Sequence, residues 1–515
     1  MMGSLPTEIL HRIFEHLETP ISLENWEPGR YYLDKPPPPC ELIALSKVSH
    51  LFHSIVRPLI YRTVALRSKN GPSGSSMDKF MHVLCADPSI GHNIQGLQVD
   101  PWLSDFKLEY FAQKLWTSPE NLDERKRRWL AIMWMKSEND NVPLLALLVA
   151  PRLRTLDYMG NVSLMGLAAY VSGRQDVEDD YFATARGGDS DSDDDDVPDE
   201  TGSETASEDG DEDSESNDVP ASQQESQLPS PPSENPMSLL SEVRLGKRGG
   251  HDDNLRLERV RNIEGVLLNP GLRTLRLSAF RWTKDEVRTM KWNNAMNNIT
   301  TLQLKNCLID AAGLANALRR CRLRHLHIVL AHDYGVDADR GAILNLNGIG
   351  VALRRYGQRL ESLDFDSTEY DDDHLIGHIG PLSELSRLRN LKISLEDLGV
   401  FDEEDEEDEE DEEDEEELKM ELSTSLPPTL ESIHIHPSEK NGLTRVPVTL
   451  LTDEVFTGLR TVEVEGNIVF KDETKALEVP GWSKSTWSDM VIWGDTEEEV
   501  DYFYSVIFSR DAEVR

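Results

Sequence analysis

Cysteine is scarce. There are four in 515 residues, Cys40, Cys85, Cys307 and Cys321, and no two form a CxxC pair. The spacing speaks against a zinc ribbon or a thioredoxin-like redox site. So few thiols in so long a chain fit a reducing compartment, cytosol or nucleus. Long apolar runs are missing too. None approaches the roughly 20 residues needed to span a bilayer, so no membrane partner is expected. The longest, VPLLALLVAP, is bounded by prolines and reads as a buried helix. The opening MMGSLPTEIL has no basic stretch followed by an apolar core, so it does not read as a secretory signal. Catalytic signatures are absent as well: there is no GxSxG, HExxH or P-loop. GIGVAL at 348–353 lacks the third glycine and the preceding strand of a dinucleotide site. His374 and His378 in DDDHLIGH stand four apart, but the adjacent aspartates read better as an acidic first turn favoured by a helix dipole than as metal ligands. No catalytic residue, cofactor or metal is expected.

Basic charge is in short supply, with 53 Lys and Arg against 95 Asp and Glu and a net charge of −42. Its location matters more than its size. Every residue from Asp402 to Glu417 is acidic, and Asp176–Asp218 carries twenty acids against the single base Arg186. Without these two segments the remainder has a net charge of only −7. Both lack the apolar side chains that offset the entropy of ordering, so both are expected to be disordered insertions, at 176–236 and at 402–417. Ser190, Ser192, Ser207 and Ser214 precede acids in the first of them, the pattern of acid-directed phosphorylation.

Residues 4–17, SLPTEILHRIFEHL, place Leu5, Ile9, Leu10, Ile13, Phe14 and Leu17 on one face of a helix, with Pro6 in its first turn. A second helix fits CELIALSKVSHLFHSIV, with Leu42, Leu45, Val48, Phe52, Ile55 and Val56 inward and Pro58 closing it. The strand-like LIYRTVALRS follows. The whole pattern, LPTEILHRIFEHL and then LIALSKVSHLFHSIVRPLIYRTV, resembles the F-box, and its last portion looks like the F-boxes of filamentous fungi. The matching residues are Leu5-Pro6, Glu8-Ile9-Leu10, Ile13-Phe14 and Leu17, then Leu45, Val48-Ser49, Phe52-His53, Ile55-Val56, Pro58-Leu59 and Tyr61-Arg62. The chain departs from the family in a long proline-rich insertion, residues 18–40, where the family joins its first two helices with a few residues.

Beyond residue 64 the chain repeats one phrase, L-x-x-L-x-L. It occurs as LRTLDY (153–158), LRTLRL (272–277), ITTLQL (299–304), LRHLHI (323–328), LESLDF (360–365), LRNLKI (388–393), LESIHI (430–435) and LRTVEV (459–464), with weaker copies IQGLQV (94–99) and LSEVRL (240–245). Starts at 272, 299 and 323 are 27 and 24 residues apart, 360 to 388 is 28, and 430 to 459 is 29. Leucine-rich repeats have periods of about 20–29 residues. The 42-residue gap from 388 to 430 returns to 26 once the sixteen acids are removed. The expected fold is therefore α/β: an N-terminal helical F-box (1–64), repeats over 65–175 and 237–470, and a Trp- and Tyr-rich C-terminal cap (471–515). Helical segments between the strands, such as KDEVRTMKWNNAM, LNGIGVALRRYG and DDDHLIGHIGPLSELSR, would stack each repeat into a solenoid with its strands on a concave face.

Strand side chains alternate, so the fourth and sixth residues of each phrase should point inward and the fifth outward. The fifth residues are Gln98, Asp157, Arg244, Arg276, Gln303, His327, Asp364, Lys392, His434 and Glu463. Taken singly, each is a solvated residue of a sheet face. Collectively they line the best candidate binding surface, with Arg276, Gln303, His327, Asp364, Lys392 and His434 as candidate substrate contacts. They form neither a basic stripe nor an aromatic ladder, so no nucleic acid is expected. The F-box resemblance implies docking on a Skp-type adaptor through Leu5, Pro6, Ile9, Ile13, Leu17, Leu45, Val48, Ser49, Pro58 and Leu59. Through that adaptor it implies a cullin–RING ubiquitin ligase, with the repeats holding an unknown protein substrate. The rival reading is a non-catalytic acidic scaffold whose tracts attract basic proteins such as histones.

Overall fold

The computed structural model of the chain describes residues 5–18, 39–66, 76–99, 124–135, 142–159, 164–172, 174–186, 237–246, 257–290, 297–331, 343–368, 370, 374–400, 422–436, 445–466, 478–492 and 500–510. Most of the proline-rich insertion and all of the acidic run 402–417 lie outside them. Among the described residues no helix is long and apolar enough to cross a membrane.

The fold is mixed α/β, dominated by one large and mostly parallel sheet. Its main path has thirteen strands: β1 (Thr63–Leu66), β2 (Gly96–Val99), β3 (Thr155–Met159), β4 (Glu242–Gly246), β5 (Thr274–Ser278), β6 (Thr301–Ile309), β7 (His325–Leu330), β8 (Ser362–Asp366), β9 (Asn390–Ile393), β10 (Ser432–Ile435), β11 (Thr461–Gly466), β12 (Trp482–Ile492) and β13 (Val500–Arg510). β1 to β11 lie side by side in chain order, all parallel. β13 then pairs antiparallel with β11, and β12 with β13, so a hairpin ends the row.

All ten leucine phrases lie on strands, and each strand begins at the third residue of its phrase. The first, fourth and sixth residues of every phrase are buried, none more than 3% exposed. These residues form one continuous apolar core with the helices and turns packed against the sheet. The register is uniform from Gln98 to Glu463: the fifth residue of each phrase pairs with the fifth residue of the next. A second periodicity supports it. Ten carbonyls, from Arg62 to Glu431, each accept two backbone N–H groups from the second and third residues of the following strand segment. β3 and β4 pair directly although 82 residues separate Met159 from Glu242, and β9 and β10 pair directly across the acidic run. Both acidic segments therefore lie between adjacent strands.

Several expectations are corrected. CELIALSKVSHLFHSIV forms two helices: α2 (Cys40–Ser46) and α3 (His50–Ile60) follow α1 (Thr7–Glu15). Ser49 breaks the run. It is extended, and its hydroxyl accepts the Phe52 N–H at 3.1 Å, an N-cap that starts a new helix. Pro58 lies within α3 and does not end it, and Val48 is 66% exposed and does not point inward. The first acidic insertion begins later than residue 176. Gln175–Arg186 is a helix, α5, because Val177, Tyr181 and Phe182 give it an apolar stripe. That stripe packs on Trp129 of α4 (Glu124–Met135), with Trp129 and Phe182 centroids 4.6 Å apart, while Arg125 Nε donates to the buried Glu178 at 2.6 Å. Residues 375–387 are not helical: Gly377 and Gly380 take positive φ, Pro381 follows, and Leu375–Ile376 pairs with Leu344–Asn345. His374 and His378 therefore do not share a helix. KDEVRTMKWNNAM is helical only over Lys284–Thr289 among its described residues.

GIGVAL belongs to α7 (Leu346–Tyr356), which, like α6 (Ala311–Arg320), packs beside the sheet. Gly350 is there for closeness: a Cβ would stand 1.8 Å from the Ile379 carbonyl oxygen. The apolar run is likewise a helix, Val142–Val149, with Leu144, Leu147 and Leu148 buried.

Candidate functional site

Two surfaces stand out, one apolar on the N-terminal helices and one polar on the sheet. The three helices have a small core of their own, Phe14, Leu42, Ile55, Val56 and Leu59, with Leu10, Leu45, Phe52 and Ile60 packed against it. The rings of Phe14 and Phe52 meet edge to face at 5.2 Å. This core separates the ten candidate contacts. Leu59 is buried, Leu45 and Pro58 are half-buried, and Leu5, Pro6, Ile9, Ile13, Leu17, Val48 and Ser49 are exposed. Leu5, Ile9, Ile13 and Leu17, four residues apart, are each 36–52% exposed, and Ile43 and Leu51 join Val48 outside. Thirteen large apolar side chains are exposed among the described residues, and seven of them belong to this small unit. Solvent-facing apolar residues are ordinary when scattered; gathered on one small unit they make it a candidate docking surface.

On the face of the sheet opposite the helices, the fifth residues of the phrases pair laterally and are less solvated than expected. Gln98 Nε2 donates to Asp157 Oδ2 at 2.8 Å, and Arg244 grips both Asp157 oxygens, Nε to Oδ1 at 2.7 Å. Gln98, Asp157, Arg244 and Arg276 are all buried, with Asp157 only 1% exposed. Arg276 Nε donates to Gln303 Oε1 at 2.7 Å. In parallel strands held in uniform register, identical positions lie side by side, so a donor on one strand finds an acceptor on the next.

From β7 to β11 the character changes. His327 Nδ1 lies 2.5 Å from Asp364 Oδ2. His434 stands between two glutamates, Nδ1 3.4 Å from Glu463 Oε2 and Nε2 2.8 Å from Glu465 Oε1. His436 is only 6% exposed in its side chain and faces Asp364, Asp366 and Glu465 at 3.7–3.9 Å. Its ring centroid lies 5.7 Å from that of His434. Burial alone would raise the carboxyl of Asp364, but contacts with His327 and His436 and the charges of His327 and Lys392 hold it well below the usual carboxylate range. Glu465 is lowered against its burial in the same way by His434, Lys392 and His436.

The structure thus brings together His327, Asp364, Lys392 and His434 of the expected contacts, and separately Arg276 with Gln303. The fifth-position reading missed Asp366, His436 and Glu465. Each is the seventh residue of its phrase, two beyond the fifth, and a strand repeats its face every two residues. The signal was present in LESLDFD, LESIHIH and LRTVEVE. Compared with known proteins, the chain matches no family model and no curated protein.

Proposed function

We propose that this chain is the substrate-recognition subunit of a Skp–cullin–F-box ubiquitin ligase, built as an F-box followed by a leucine-rich-repeat solenoid. The observation that carries the reading is the exposed apolar row Leu5, Ile9, Ile13 and Leu17 with Val48, on a three-helix unit that keeps other residues for its core. These exposed residues belong to the F-box-like pattern. The repeat reading draws support from the ten phrases in one register and the recurring two-donor carbonyl. Through its adaptor the F-box joins a cullin–RING ligase, and the open face of the sheet holds a protein substrate. Transfer is promoted by a raised local concentration, with no chemistry in this chain.

Affinity purification of the tagged full chain from cells tests this. A Skp-type adaptor and a cullin should co-purify, and Ile9→Asp with Ile13→Asp should remove both while leaving the circular dichroism spectrum unchanged. Capture of basic proteins alone, lost on deleting Asp402–Glu417, would favour the acidic-scaffold reading instead.

A further inference from the structure

The polar cluster on β8–β11 mixes carboxylates and imidazoles. Asp364, Asp366, Glu463 and Glu465 bring four carboxylates, with Lys392 and the imidazoles of His327, His434 and His436 among them. One ligand atom from each of His434, Glu463 and Glu465 lies within 4.8 Å of the other two. The layout follows from the register. His434 and Glu463 are direct partners on adjacent parallel strands, and His436 and Glu465 stand two residues further along. Four side chains thus form a two-by-two array with a spacing of about 4.8 Å across strands and about 6.6 Å along them. The His436 N–H, bonded to the Ile393 carbonyl at 3.1 Å, continues the ladder and fixes that corner.

One nitrogen in this array points to a ligand. His434 Nε2 approaches Glu465 Oε1 to 2.8 Å yet is misaligned for a hydrogen bond. His436, with a side chain 6% exposed, turns its Nε2 to Asp364 and Asp366 at 3.7 and 3.9 Å and its Nδ1 to Glu465 at 3.9 Å, beside the three-residue cluster. We propose that His434, Glu463 and Glu465 bind a divalent transition-metal cation of the zinc class. Mixed imidazole and carboxylate donors suit such an ion, at roughly 2.0–2.2 Å from each, whereas calcium and magnesium favour all-oxygen sets. A cation seated there would also neutralise the two glutamates that hold it. The site goes beyond the ligase reading and does not depend on it.

The test is cobalt titration of the full chain, stripped with chelator, in excess magnesium so that the hard cation occupies the acidic run. One equivalent of Co²⁺ should give visible ligand-field bands, and Zn²⁺ should displace it. Glu465→Gln, of the same shape, and His434→Ala should each weaken binding about tenfold or more, while His378→Ala, outside the cluster, should not. X-ray absorption of the Zn²⁺-loaded wild type should show at least one imidazole neighbour, a reading that needs no variant. Absence of a stoichiometric Co²⁺ band, an oxygen-only coordination shell, or unchanged affinity in Glu465→Gln would each overturn the proposal.

Discussion

The N-terminal helices and the sheet solve opposite problems. The helical unit keeps five residues in a core of its own and turns seven large apolar side chains to water. The sheet buries every first, fourth and sixth residue of its ten phrases, and its open face is polar, paired and partly buried. One region is stabilised modestly and advertises an apolar surface. The other is stabilised heavily and advertises charge. The difference shows that exposure alone does not identify a function; what matters is whether the exposed chemistry is already satisfied by its neighbours.

The contrast can be broken in graded steps. Asp157→Ala should cost most, about 3–5 kcal/mol, because it strands the Arg244 guanidinium in a buried position. A loss under about 1 kcal/mol by urea denaturation would show that water reaches this ladder. Leu326→Ala, 1% exposed on β7, should cost about 2–5 kcal/mol through the cavity it leaves, measurable in the same experiment. Ser49→Ala removes the cap that divides α2 from α3 and should cost about 1 kcal/mol in the helical unit. Ile9→Ala with Ile13→Ala should stay within about 0.5 kcal/mol of wild type, since surface changes away from special features rarely do more. A larger drop would mean that α1 needs this face for its own stability. Thiol labelling sharpens the same contrast. Burial pushes Cys307 and Cys321 up to about 12, so at pH 8 both stay protonated and covered, whereas Cys40 in the helical unit is exposed. An alkylating reagent should modify Cys40 in the native chain and reach Cys307 and Cys321 only after denaturation.

Strand positions were legible because a single phrase recurs ten times and the buried residues recur with it. Three things were hidden, each for a local reason. The break before α3 rests on one hydroxyl at Ser49, which helical periodicity overlooks. The loop at 375–387 carries apolar residues at helix-like intervals, yet Gly377, Gly380 and Pro381 decide its path. The seventh-position acids and histidines fall one residue outside the six-residue phrase used to find the strands, so the richest part of the open face lay just beyond the template. The early strand β1 was legible as the strand-like LIYRTVALRS, but not as a copy of the phrase, because TVAL carries alanine where the phrase has its outward polar residue; Ala65 nonetheless pairs in register with Gln98.

β1 has a mechanical consequence. Only Tyr61 and Arg62 separate α3 from this strand, the Arg62 carbonyl begins the two-donor series, and the Arg62 guanidinium holds Glu18 at 2.8 Å. The helical unit is therefore coupled to the sheet without a hinge, and the sheet behaves as a graduated ruler. Neighbouring strands advance by about 4.8 Å, which places Asp364 on β8 about 34 Å, and Glu463 on β11 about 48 Å, from β1 along the sheet. A partner seated on α1 and one seated on the open face would be held at a separation quantised in strand widths. Removing one whole repeat would shorten that distance by a single graduation.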